Sequence, residues 1–92
     1  MNPDQAETVA LRALAYMAAD EELSSRFAGA TGASLAEAPS RLSEPGYLAG
    51  ILEFLLQEDR WVTGFCDGEG LAYDAPMRAL MALPGGRREE WP

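Results

Sequence analysis

Between Pro45 and Glu58 the chain carries Tyr47, Leu48, Ile51, Leu52, Phe54, Leu55 and Leu56, with only Gly46, Gly50, Glu53 and Gln57 between them as a narrow small or polar stripe. A helix with so little polar surface has to be covered on nearly every side. Residues 45–58 are therefore predicted to form the central helix of an all-α protein, and the rest of the chain has to supply its cover. With 92 residues in all, that cover comes from one domain and not two. The expected architecture is a compact bundle of five to six helices over residues 1–86, followed by a disordered tail at residues 87–92.

The covering helices announce their ends. Asn2 can cap a first helix, with Pro3 at the first helical position, Asp4 at the positive end of the dipole and Gln5 at capping-box spacing. From Ala13 to Ala19 only the Tyr16 hydroxyl is polar, which predicts burial all round. Asp20 reads as the cap of a second helix with Leu23 and Phe27 inward, stopped by Gly29 and Gly32. Ser34 and Glu37 repeat the capping-box spacing and open a third helix with Leu35, Ala38 and Leu42 inward. Pro39 lies inside that helix, which predicts a short, kinked or partly 3₁₀ element. Asp59 can cap a fifth helix with Trp61, Val62, Phe65 and Cys66 inward, ended by Gly68 and Gly70. Asp74 and Pro76 open a sixth, with Met77, Leu80 and Met81 inward.

An offset of 38 residues aligns the chain with itself. Leu14 falls on Leu52, Tyr16 on Phe54, Met17 on Leu55, Asp20 on Glu58, Phe27 on Phe65, Gly32 on Gly70 and Leu42 on Leu80. The pattern suggests two three-helix units, each a long helix and two short ones, packed face to face as an internal pseudo-repeat.

Composition removes most catalytic chemistry. There is no histidine and no lysine, and one cysteine. The commonest general base and the usual zinc, haem and iron–sulfur ligand sets are missing. So are Schiff-base chemistry and the lysine of a phosphate-binding loop. No cofactor or metal is expected, and the chain reads as a non-enzyme. Seven arginines against fifteen acidic residues give a net charge of −8. That charge disfavours nucleic acid and anionic membranes and favours a basic protein partner, although many proteins are acidic for solubility alone. The start of the chain lacks the cationic region of a signal peptide, no apolar run reaches membrane-spanning length, and Cys66 has no second cysteine to bridge. The expectation is a cytoplasmic protein.

What remains are carboxylates, one turn motif and a few aromatic side chains. Glu58–Asp59 and Asp20–Glu21–Glu22 sit where helix caps are wanted. Asp67-Gly68-Glu69-Gly70 lacks the spacing of a calcium loop, since the fifth and sixth positions are Leu71 and Ala72. Cys66 falls on an apolar stripe as a buried small side chain. Phe27 to Leu35 has the layout of a helix-turn-helix, whose DNA-contacting residues would be Thr31, Ser34 and Arg41. Pro39 within the recognition helix and the scarcity of nearby cations weigh against it. For protein interaction the candidates are Tyr73, Glu69 and Asp67, with Trp61 read as core and Trp91 as part of the tail. Gly46 and Gly50 on one face of the central helix would allow close helix approach, either to the first helix or in a weak homodimer; otherwise the chain is a monomer.

Taken in order, Ala10-Leu11, Ala13-Leu14, Tyr16-Met17-Ala18-Ala19-Asp20, Phe27, Thr31-Gly32, Pro45, Tyr47-Leu48, Ile51-Leu52-Glu53-Phe54-Leu55-Leu56 and Glu58 resemble a small helical bacterial family of uncharacterised proteins, domain of unknown function 3572. The resemblance covers about residues 4–83. It departs at the third helix, where the family tends to carry Asp-Pro near the start and this chain has Ser34-Leu35, with Pro39 farther in. The resemblance implies a small helical protein and carries over no functional residue. The leading functional expectation is an acidic protein-interaction module, with a DNA-binding regulator using residues 27–42 as the alternative.

Overall fold

The computed structural model describes residues 1–84, so the tail expected at 87–92, and Trp91 within it, lie outside the described residues. The described chain is all-α, with six helices and a 3₁₀ turn: α1 Pro3–Ala19, α2 Glu21–Thr31, the turn Leu35–Glu37, α3 Ala38–Arg41, α4 Tyr47–Leu55, α5 Asp59–Glu69 and α6 Ala75–Ala82.

The N-terminal caps form largely as their residues demand. The Gln5 N–H donates to Asn2 Oδ1 at 2.7 Å and the Asn2 N–H donates to Gln5 Oε1 at 3.0 Å, a complete capping box. Asp20 closes α1 and opens α2, its carboxylate accepting from the Leu23 N–H at 3.0 Å. Each such cap is worth about 1 kcal/mol. Glu58 caps α5 through its backbone alone, and Asp59 is already the first helical residue. The Ser34 hydroxyl accepts from the Ala36 N–H and starts the 3₁₀ turn, after which Pro39 falls in the first turn of α3, where its missing N–H has no helical acceptor to lose.

Several expected boundaries move, and glycine geometry explains them. The central helix begins at Tyr47 rather than Pro45, because Gly46 takes a left-handed φ of +83° as its N-cap. Gly29 and Gly68 do not stop their helices. Gly32 and Gly70, at φ +77° and +70°, are the left-handed C-caps.

α1 is the spine of the fold, packing against α6, α4, α2 and the 3₁₀ turn. It turns Ala6, Ala10, Ala13 and Met17 fully inward. Ala15, Ala18 and Ala19 are exposed, so the second half of α1 is not buried all round as predicted. α6 answers with Ala75, Pro76, Ala79 and Leu80. Small side chains on both helices allow close approach, so Met77 and Met81, predicted inward, point to solvent. Leu42 is likewise exposed instead of inward. α4 buries Ala49, Ile51, Leu52, Phe54 and Leu55.

Aromatic contacts tie the two halves together. Tyr16 meets Phe65 edge-on with ring centres 5.5 Å apart, Phe27 meets Phe54 edge-on at 5.3 Å, and Phe54 stacks on Trp61 at 5.1 Å. Each such pair adds roughly 0.5–1.5 kcal/mol beyond area burial. Under the 38-residue offset the first two contacts exchange with one another. α2 and α5 also start and stop 38 residues apart. The long helices are unequal, however, with 17 residues in α1 against nine in α4.

Candidate interaction surface

The surface is built from arginine–carboxylate pairs. Arg12, Arg26, Arg41, Arg60 and Arg78 are the arginines of the described residues, and each lies within 4 Å of a carboxylate of this chain. Arg26 and Arg60, from α2 and α5, converge on Glu22 at 3.1 Å each, and these hydrogen bonds hold the Glu22 carboxyl below its ordinary range. Arg60 also lies over the Trp61 ring at 5.8 Å.

The three residues proposed for protein contact are only partly brought together. The Tyr73 hydroxyl donates to Asp67 Oδ1 at 2.7 Å, and that bond to the carboxylate raises the Tyr73 hydroxyl above its ordinary value. Glu69 is turned away into the fold's own bonding: Arg12 Nε donates to its carboxylate at 2.8 Å and Arg12 Nη2 to its backbone carbonyl at 3.0 Å. Residues 67–69 are the last turn of α5 rather than an open loop.

The residues of the DNA alternative are also engaged locally. The Thr31 hydroxyl donates to the Phe27 carbonyl at 2.8 Å and accepts from the Ala33 N–H. Ser34 caps the 3₁₀ turn, and Arg41 pairs with Glu37 at 3.3 Å and Glu44 at 3.5 Å. In place of one recognition helix from Ser34 to Arg41 there is a 3₁₀ turn and a four-residue helix. Thr31 and Arg41 share the wall of a shallow groove of about 250 Å³ with Phe27, Gly46, Tyr47 and Gly50. A Cβ at Gly50 would meet nothing within 4 Å, so Gly50 borders open space and not α1.

Two buried donors, Tyr47 Oη and Trp61 Nε1, have no hydrogen-bond partner among the described residues. Burial raises the Tyr47 hydroxyl above its ordinary value. No charged side chain among the described residues is buried, and Cys66 lies in the core with its thiol pushed up by burial first and by Asp67 and Asp74 next. No helix of the described residues is long and apolar enough to cross a membrane.

The feature that sequence reasoning missed lies on α6 and the turn before it. Tyr73, Met77 and Met81 follow one another at spacing four and are 57%, 47% and 53% exposed. The signal was present as that spacing. Hydropathy alone assigned the methionines to the core, where Ala75 and Ala79 sit instead.

Residues 3–86, which include all six helices, match the family described as protein of unknown function (DUF3572). The chain belongs to that family. No curated protein and no solved structure matches it. The family supplies no activity, so a functional reading has to rest on the surface just described.

Proposed function

We propose that the protein is a non-enzymatic interaction module that binds a basic protein partner through its acidic surface. The observation that carries this reading is the pairing of every described arginine with the chain's own carboxylates. Meanwhile Asp4, Glu7, Glu21, Glu53, Asp59 and Asp67 enter no ion pair among the described residues. A partner therefore meets carboxylates with few competing cations, an arrangement that steers a basic protein and repels acidic ones. The lack of histidine and lysine in the sequence supports a binding role over a catalytic one.

Photocrosslinking in native cells, from reporter residues at exposed positions, tests the reading. The expected result is the same basic protein in repeated trials, with complex formation weakening as salt screens the charges. Recovery of only acidic proteins, or of none, would count against it.

A further inference from the structure

We infer that Met77 and Met81 on α6, together with Tyr73 in the turn before it, form the docking face for an amphipathic helix of the partner with basic residues flanking its apolar side. The inference rests on the reading of the protein as a module for a basic partner and adds to it the place and shape of the contact. Met77 and Met81 lie one turn, about 6 Å, apart on α6, and Tyr73, in the turn just before the helix, adds a third exposed large side chain. Two turns of a partner helix would cover it. Methionine suits the task, because its unbranched thioether chain adapts to whatever side chain lies on it.

The charges around the stripe select the partner. At its Tyr73 end stand Asp67 and Asp74. Asp67 enters no ion pair among the described residues, and Asp74 reaches Arg78 only at 3.9 Å. Leu83 and Pro84, which follow α6, line a groove of about 280 Å³ with Asp4 and Glu7, two further carboxylates without an ion pair among the described residues. An apolar face with carboxylates beside its Tyr73 end fits a helix whose apolar side is flanked by cationic residues. A second copy of this chain would bring another net charge of −8 against the first. A contact of this length lies at the small end of specific interfaces, so affinity of micromolar order is expected.

The four methionines provide the test. In full-length protein with ¹³C-labelled methionine methyls, Met77 and Met81 report the face, while Met17, fully buried, reports the core. The probes are an 18-residue peptide of leucine and lysine arranged as an amphipathic helix and a peptide of the same composition scrambled to destroy the apolar face. The expected result is that the amphipathic peptide shifts Met77 and Met81 and leaves Met17 in place. It should bind at least about ten-fold more tightly than the scrambled one. That preference should vanish in the double variant Met77→Gln/Met81→Gln and persist in Ala30→Gln, an exposed position on α2. Equal binding of both peptides, unchanged in the double variant, overturns the stripe and leaves the basic-partner reading standing. Binding of neither peptide at low salt overturns both. Met77 and Met81 shifts that depend on protein concentration alone, or on removal of residues 87–92, would also overturn the inference, by giving the face to a second copy or to the chain's own end.

Discussion

The hydroxyl of Tyr16 stands 2.7 Å from the position that a Cβ on Gly64 would occupy, and the rest of the Tyr16 ring stays at 3.8 Å or beyond. Gly64 lies within α5, where alanine is intrinsically better by about 1 kcal/mol. α1 and α5 meet there through a phenol that would have to shift to admit a methyl group. Gly64→Ala should therefore be neutral or destabilising by up to about 1 kcal/mol, because the helix gain is offset by displacing a ring packed on Phe65. In a Tyr16→Phe background the same change should stabilise by about 1 kcal/mol. Gly68→Ala, which meets nothing within 4 Å, should stabilise by a similar amount in either background. Thermal melts of the double-mutant cycle measure this, and strict additivity would refute the contact.

Arg12 holds Glu69 twice, through the carboxylate and through the backbone carbonyl. A lysine offers one point charge and cannot reproduce the fork. Glu69→Gln should cost less than about 0.5 kcal/mol, since the bond to the carbonyl survives. Arg12→Lys and Arg12→Ala should each cost about 1 kcal/mol, a modest figure because the two side chains are 41% and 31% exposed. Urea unfolding distinguishes these, and equal losses for Glu69→Gln and Arg12→Ala would assign the whole effect to the ion pair.

Asp20 and Glu58 occupy equivalent places before α2 and α5, but only Asp20 makes a side-chain cap. Asp20→Ala should destabilise by about 1 kcal/mol and Glu58→Ala by less than about 0.5 kcal/mol. Chemical denaturation of the two variants side by side gives the comparison.

Cys66 is buried, and its thiol is raised above its ordinary value by that burial. The neutral form is therefore the one the fold favours. The associated stability is complete below the unfolded thiol's value and is lost as pH rises toward the higher folded value. As pH rises above the unfolded thiol's value of about 8.5, the wild-type protein should lose more stability than Cys66→Ala. In native buffer the thiol should react with a water-soluble disulfide reagent only as fast as the core opens, and at once in urea. Rapid native reaction at neutral pH would contradict the burial.

The helices and most of their ends were legible in the sequence because they depend on neighbours three or four residues away. The Asn2–Gln5 box, the Asp20 cap, the left-handed Gly32 and Gly70, the split third element around Pro39 and the burial of Trp61, Phe65 and Cys66 are all of this kind. The errors at Gly29 and Gly68 have a local reason too: a glycine is permitted within a helix, and it ends one where the chain must turn left-handed. Of the candidate surface, Tyr73 and Asp67 were legible as polar or aromatic residues near a turn, whereas the diversion of Glu69 to Arg12 joins residues 57 apart.

The sequence by itself determined that this chain folds as a single helical bundle, since residues 47–56 are too apolar to be stable without cover and the caps cut the remainder into helices. Only the tertiary structure decided which face of each helix became interior. Hydropathy ranks methionine above alanine for burial, but two helices that approach closely select the smaller side chain. Ala79 is wholly buried in α6, and Met77 and Met81 are left on the outside. The same selection that packs α6 against α1 exposes the apolar stripe on which the proposed contact depends.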